Sequence, residues 1–125
     1  MKEFSFEKLE VWQGTKTFTV FLYRLMKAFP EDEKFGLVQQ INRTVISVSS
    51  NLAEGSGRTS KKDQAHFYQM AYSSLMEVLS QVLISIELGY IAPENELEIR
   101  NQIVKISNKI NSLRKNYYHL FNLYF

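Results

Sequence analysis

A short segment near the middle of the chain has the residue types that could hold a phosphate group. Residues 55–62 contain two glycines and the cations Arg58, Lys61 and Lys62, and a periodic segment follows them. If a helix begins here, its free backbone N–H groups and its dipole would act on an anion together with the side-chain charges. The P-loop pattern is incomplete, so nucleotide hydrolysis is not predicted. An ordinary turn between helices with solvated charges is the alternative interpretation.

The other candidates for catalysis or metal binding do not form a recognisable site. The chain has two histidines and no cysteine. Asp63 and His66 have an acid-x-x-His spacing, but a di-iron bundle requires two Glu-x-x-His motifs, and a zinc site requires more ligands than these. Ser56 lies between two glycines, yet no strand precedes it as in a nucleophile elbow. We therefore predict no catalytic residue, no metal ligand, no cofactor and no enzymatic activity, with His66 on a partly exposed helix surface.

Length and composition are those of one domain, which we expect to span residues 1–125. Hydrophobic residues make up 45% of the chain, enough for one core without disulfides. The absence of cysteine fits a reducing cytoplasm, and no apolar run approaches the roughly 20 residues of a membrane span. We therefore expect a cytoplasmic protein without a membrane segment. The net charge of +2 is small, so nucleic-acid binding would require a local basic patch.

Four segments have the apolar periodicity of amphipathic helices, at about residues 10–29, 31–55, 60–88 and 93–120. Their connections are short, which makes consecutive helices antiparallel neighbours. We predict an all-α fold, an antiparallel up-down-up-down four-helix bundle. The expected core residues, in chain order, are Phe18, Leu22, Leu25, Phe29, Leu37, Ile41, Val45, Val48, Leu52, Phe67, Ala71, Leu75, Val78, Leu79, Val82, Ile86, Ile103, Ile106, Ile110, Leu113, Tyr117 and Leu120.

Local signals predict where these helices begin and end. Pro30 should end the first helix, because proline disfavours helical geometry in the preceding residue. Acidic residues 31–33 suit the start of the second helix, and Gly55 is expected to end it in a left-handed conformation. Ser60, with an acid three residues later, predicts the N-cap of the third helix. Gly89 is the expected C-terminal cap of that helix.

The first and third segments carry more apolar surface than one bundle needs. This surplus consists of Trp12 and Tyr23 in the first segment and, in the third, of Tyr72, Met76 and Leu83 with Met70 and Ile84 behind them. Aromatic and Met side chains are enriched at protein interfaces, so the surplus predicts self-association. The alternative is that neighbouring helices and the N-terminal Phe4 and Phe6 cover these side chains.

Several short motifs make the chain similar to a known family over about residues 6–113. The motifs are Leu9-Glu10-Val11-Trp12-Gln13, Phe29-Pro30, Phe35-Gly36-Leu37, the most specific block Ser47-Val48-Ser49-Ser50-Asn51-Leu52-Ala53-Glu54-Gly55, and then Phe67, Ala71, Ser74-Leu75, Glu77, Gln81 and Leu88-Gly89-Tyr90. With these motifs the chain resembles the bacterial four-helix-bundle family named for the protein encoded in intervening sequences of 23S ribosomal RNA genes.

The resemblance implies a homopentamer and kinship with accessory proteins of diversity-generating retroelements, which bind nucleic acid and a reverse transcriptase. We therefore predict a non-catalytic oligomer that binds RNA or DNA through basic patches. The candidate phosphate contacts are Arg58, Lys61 and Lys62. Arg43 is a further cation that matches the family. The alternative function is a protein-binding scaffold or adaptor with no role for nucleic acid.

Overall fold

A computed structural model describes the backbone of residues 1–124 and the side chains of residues 1–115. It contains four α-helices: α1 Glu10–Met26, α2 Leu37–Ser56, α3 Lys61–Glu87 and α4 Glu96–Tyr124. Single 3-10 turns occupy Ser5–Lys8, Glu31–Glu33 and Pro93–Asn95. The described backbone has no strand, and the predicted all-α four-helix bundle is confirmed. None of the helices up to residue 124 has both the length and the apolar character to span a bilayer.

Contacts between helices join residues from different levels of their sequences. Thr44 Oγ1, in the first half of α2, accepts a hydrogen bond of 3.2 Å from Nε2 of Gln81, which lies late in α3. Lys109, near the middle of the long helix α4, forms a 3.1 Å ion pair with Glu10, the first residue of α1. These pairings are consistent with the antiparallel order. The most extensive contact is between α2 and α3.

The apolar stripes form one core along the bundle. Its largest fully buried side chains are Phe18, Leu22, Ile41, Leu52, Leu75, Ile99 and Ile110. One expected core residue was wrong: Phe67 is only partly buried and does not belong to the core, while the next residue, Tyr68, is buried in it. A shift of one residue turns a helix by about 100°, so the buried face at the start of α3 includes Tyr68 instead. The predicted core positions Tyr117 and Leu120 lie outside the described side chains.

Three predicted helix boundaries were wrong. The fourth helix was expected to begin at residue 93, but Pro93–Asn95 form a 3-10 turn, and α4 begins at Glu96. Acidic residues 31–33 also form a 3-10 turn, and α2 begins only at Leu37. Glu33 Oε1 accepts the Leu37 N–H at 3.2 Å, so this acid satisfies a free donor of α2 from outside the helix. At the third boundary, α1 ends at Met26 rather than at Phe29, and hydrogen-bonded turns follow it up to Phe29.

The predicted role of Gly55 was also wrong. Gly55 lies inside α2 and does not have a positive φ. In the described backbone, the one glycine with a positive φ is Gly89, at +81°. A Cβ on Gly55 would lie 2.8 Å from Tyr68 Cε1 and 3.0 Å from Phe67 Cβ. Glycine is therefore required here for the close approach of α3. The expected cap at Gly89 is confirmed.

The family-like block of residues 47–55 lies along the contact between α2 and α3. Ser47 Oγ donates to Ser74 Oγ of α3 at 2.6 Å, and Asn51 Nδ2 donates back to the Ser47 carbonyl at 2.9 Å. Leu52 is completely buried one residue later, and Gly55 permits the close contact with α3. The block therefore contributes hydrogen bonds, core volume and close packing to one helix pair.

Candidate nucleic-acid interface

Arg58 lies in the α2–α3 turn and is held on two sides. Its guanidinium carbon is 4.4 Å from the centre of the Phe67 ring, a cation–π distance. Its Nη2 is 3.7 Å from Glu54 Oε2, in an ion pair between two side chains that stay about half-exposed. The ring fixes the direction of the guanidinium, while the solvent-exposed pair with Glu54 contributes little stability. Arg58 is therefore oriented and still open to a ligand.

Lys61 and Lys62 are exposed in the first turn of α3. Ser60 caps this helix, as predicted: its Oγ accepts the Asp63 N–H at 3.0 Å. Gln64 Nε2 donates to the Arg58 carbonyl at 3.1 Å, which ties the turn to the helix. The Ser60 side chain thus takes up the Asp63 N–H, one of the backbone groups that were expected to bind a phosphate. The side chains of Arg58, Lys61 and Lys62 remain the main groups for binding an anion.

Arg43 does not belong to this group. It is exposed on α2, and Ser56 lies thirteen residues further along the same helix. At 1.5 Å per residue that is about 20 Å along the helix axis. The four predicted contact residues are therefore not one site: three lie together at the α2–α3 turn, and Arg43 lies toward the opposite end.

Charge is unevenly distributed along the bundle. The end formed by the α1–α2 and α3–α4 connections (residues 27–36 and 87–100) has a formal charge of −4, from Glu31, Asp32, Glu33, Glu87, Glu94, Glu96 and Glu98 against Lys27, Lys34 and Arg100. The opposite end (residues 1–10, 54–66 and 109–115) has a formal charge of +3, from Lys2, Lys8, Arg58, Lys61, Lys62, Lys109, Arg114 and Lys115 against Glu3, Glu7, Glu10, Glu54 and Asp63. We call these the acidic end and the basic end.

Lys109, Arg114 and Lys115 were missed as candidates because they are distant from the turn in sequence. The antiparallel order places this part of α4 beside the start of α3. Lys61 and Leu113 line the same cleft, of about 240 Å³, together with Ser56. The available signal was the short α3–α4 connection, which predicts that the end of one helix meets the start of the other.

The groups that could do acid–base or metal chemistry are not assembled in the described part of the chain. His66 is exposed, as expected, with its ring 5.8 Å from that of Phe67. Residues 1–115 contain no cluster of three or more potential metal ligands. Burial raises the pKa of the Tyr68 phenol, and the hydrogen bond from Tyr90 Oη to Glu33 Oε2 is the main cause of a raised pKa at Tyr90.

The surplus apolar residues fall into two groups. Trp12 is half-buried, with Phe6 packed edge-on at 5.0 Å between ring centres. Tyr72 and Met76 also pack against the core, so the chain itself partly covers these three side chains. Tyr23 and Ile84 differ, because 43% of Tyr23 and 52% of Ile84 are exposed. Met70 and Leu83 are partly buried. Self-association therefore stays a prediction, and Tyr23 is the residue best placed to test it.

Comparison with known proteins identifies relatives of this bundle. A model of the family described as 23S rRNA-intervening sequence protein matches residues 7–112. Among solved structures, the chain is similar to a protein of unknown function from the S23 ribosomal protein family of Bacteroides thetaiotaomicron. The TM-score is 0.76 at 24% sequence identity, and the match covers 84% of this chain and 95% of that one. That likeness shows the shared fold alone. No curated protein matches the chain.

Proposed function

The chain belongs to the 23S rRNA-intervening sequence protein family, and we propose that it is a non-catalytic homo-oligomer that binds nucleic acid with its basic end. The observation that carries this proposal is the separation of charge along the bundle. Phosphates would be attracted to the basic end and repelled from the acidic end, so the bundle would approach nucleic acid in one orientation. A net charge of +2 spread evenly would give no such preference.

The side chains at the basic end are suited to phosphates rather than to base edges. Arg58 offers a planar fork held by Phe67, while Lys61 and Lys62 are mobile point charges on the first turn of a helix. Contacts of this kind supply affinity that is independent of sequence and dependent on salt. The proposed ligand is therefore RNA or DNA recognised by its backbone.

Oligomerisation would multiply a patch that is modest in one subunit. We propose a closed ring, a homopentamer as the family resemblance implies. In a ring with parallel bundle axes, every basic end faces the same side, and several patches reach one nucleic acid without any new contact. A reverse transcriptase is the protein partner that family kinship suggests for such a ring.

Two triple variants with equal charge change test the function. Arg58→Gln, Lys61→Gln and Lys62→Gln together remove three positive charges from the basic end, and Lys27→Gln, Lys34→Gln and Arg100→Gln remove three from the acidic end. Binding of labelled RNA and DNA should weaken only for the first. Its slope of log affinity against log salt should fall by about 0.7 to 0.9 for each phosphate that the variant no longer neutralises. Equal effects from both variants would show that net charge, and not the basic end, drives binding.

The alternative function is a protein-binding scaffold or adaptor. Exposed apolar side chains favour it, among them Tyr23 at 43% and Ile84 at 52% exposure. The salt series separates the two functions. A wild-type protein that binds neither RNA nor DNA at low salt would replace the nucleic-acid proposal with the scaffold.

A further inference from the structure

Two outer helix surfaces of the bundle each carry an exposed apolar side chain together with a charge. On α1 the apolar residue is Tyr23, at 43% exposure, and on α3 it is Ile84, at 52%. Lys16 precedes Tyr23 by seven residues, and Glu77 precedes Ile84 by seven residues. Seven residues are about two helical turns, so each pair lies on one helix face. We call these pairs the α1 stripe (Lys16 and Tyr23) and the α3 stripe (Glu77 and Ile84).

The two stripes are opposite in charge. Residues 11–26 of α1 include two cations, one of them Lys16, and no acidic residue. Residues 64–87 of α3 include two acidic residues, one of them Glu77, and neither lysine nor arginine. Lys16 and Glu77 are exposed, and neither forms an ion pair among the described side chains. Each stripe has its charge two turns before its apolar group, so the stripes complement each other in charge and in spacing.

The helices α1 and α3 end at about the same level of the bundle. In the antiparallel order both run from the basic end to the acidic end. The rings of Phe29 and Tyr90 pack at 5.4 Å between their centres. Phe29 lies three residues after Met26, where α1 ends, and Tyr90 lies three residues after Glu87, where α3 ends. This contact sets the two helix ends at one level.

The members of the two stripes therefore lie at matching heights. Tyr23 and Ile84 are each three residues before the end of their helix, and Lys16 and Glu77 are each ten residues before it. At 1.5 Å per residue these positions are about 4.5 Å and 15 Å from the helix ends. Subunits of a closed ring all stand at one height, because cyclic symmetry contains a rotation and no translation. In a ring with parallel bundle axes, equal heights meet.

We infer that the α1 stripe of one copy docks on the α3 stripe of the next copy around the ring, with Tyr23 against Ile84 and Lys16 paired with Glu77. The occupant is a second copy, because this chain supplies both halves of the contact, opposite in charge and equal in height. The two surfaces differ, so the contact is heterologous, the type that generates rings. This contact rests on the oligomer of the proposed function and not on its nucleic-acid ligand.

Charge reversal on each stripe tests the pairing. Lys16→Glu and Glu77→Lys each place like charges opposite one another in every interface, so each should have a lower mass than the wild type at the same micromolar concentration. The two substitutions combined restore opposite charges, and the oligomer mass should return. Arg24→Glu is the matched control, since Arg24 is exposed on the same helix about 100° around from Tyr23. Light scattering gives the mass, and circular dichroism checks that each variant is folded.

Crosslinking tests the same contact without a change of charge. The chain has no cysteine, so Tyr23→Cys combined with Ile84→Cys places thiols on the two stripes alone. Disulfides form only where the two Cα atoms approach to about 4–7 Å. Oxidation should join neighbouring copies into covalent chains longer than a dimer, whereas either single variant can form at most a dimer. Arg24→Cys combined with Ile84→Cys is the control pair and should give a much lower yield of such chains.

The outcomes distinguish this contact from the proposed function. An oligomer whose mass is unchanged in Lys16→Glu and Glu77→Lys, or a folded double variant that stays dissociated, overturns the contact and leaves the oligomer in place. A monomeric wild type overturns both and leaves the stripes to a different protein. Restored mass in the double variant, without oligonucleotide binding by the wild type, supports the contact and removes the nucleic-acid function. If Lys16→Glu does not fold, Glu77→Lys and the cysteine pair decide the result.

Discussion

Gly55 of α2 packs directly against the ring of Tyr68 in α3, so closely that a Cβ on Gly55 would lie 2.8 Å from Tyr68 Cε1. Tyr68 is buried, and its neighbour Phe67 supports Arg58 at the basic end. The missing side chain at position 55 therefore lets α3 approach α2 where the candidate phosphate contacts begin. Packing of the core and orientation of Arg58 are connected at this point.

Replacing Gly55 by Ala should destabilise the bundle by about 1–3 kcal/mol, the usual cost of overpacking, because neither the Tyr68 ring nor Phe67 Cβ can move freely. Gly57→Ala is the matched control: its nearest atom would be the Glu54 carbonyl oxygen at an ordinary 3.6 Å. We expect Gly57→Ala to be near neutral. Denaturant titration of both measures the difference, and equal stabilities would contradict the packing role of Gly55.

Shortening Leu52 to Ala should lower the free energy of unfolding by about 2–5 kcal/mol, since its side chain is fully buried and the change leaves a cavity. Ala53→Ser, one residue along at a half-buried position, provides a comparison outside the centre of the core. Chemical denaturation followed by circular dichroism measures both. Wild-type stability of Leu52→Ala would mean that Leu52 is not part of the core.

Stability should decrease at high pH because of Tyr90. Its hydroxyl donates to Glu33 Oε2 at 3.1 Å, and this bond, desolvation and the charges of Glu33 and Asp32 raise its pKa above 10.0. The folded state then holds the phenol proton more tightly than the unfolded state. The resulting stabilisation is present below about pH 10 and is lost as pH rises through the folded pKa.

Melting temperature measured against pH tests this expectation. Above pH 10 the melting temperature of Tyr90→Phe should decrease less steeply than that of the wild type, because the variant has no phenol proton to lose at this position. Tyr68→Phe isolates the second tyrosine, whose pKa burial raises. Parallel curves for the wild type and both variants would show that neither tyrosine is linked to stability in this range.

Replacing Tyr23 by Glu should dissociate the proposed oligomer and leave each bundle folded, because 43% of this residue is exposed in one subunit. Ile46→Glu, at 44% exposure on α2, is the control for adding an acid to the surface. Light scattering gives the mass, and circular dichroism reports the helix content. A monomeric wild type at micromolar concentration would reject self-association, and loss of helix in Tyr23→Glu would place Tyr23 in the core. Trp12 and Met76 are less decisive, since both pack against the core.

The amino-acid sequence by itself was sufficient to predict the four helices, most of the core and the family. Apolar periodicity is a local property, and side chains such as Leu22, Val48 and Ile106 share a helix face whatever lies opposite. Caps are also local, which is why Ser60 and Gly89 were identified correctly. The short connections were enough to predict the antiparallel order with which the contacts agree.

Relationships between helices were decided only by the tertiary structure. The role of Gly55 depends on the distance between α2 and α3, which periodicity does not encode. Arg43 was grouped with Arg58 by family pattern, yet the helix rise places Arg43 about 20 Å along the axis of α2 from Ser56, the last helical residue before Arg58. Arg114 meets Tyr72 because antiparallel helices bring together residues that are distant in the chain. The physical reason is common to all three: a helix fixes the rise and rotation of its own residues, whereas packing fixes its register and spacing against its neighbours.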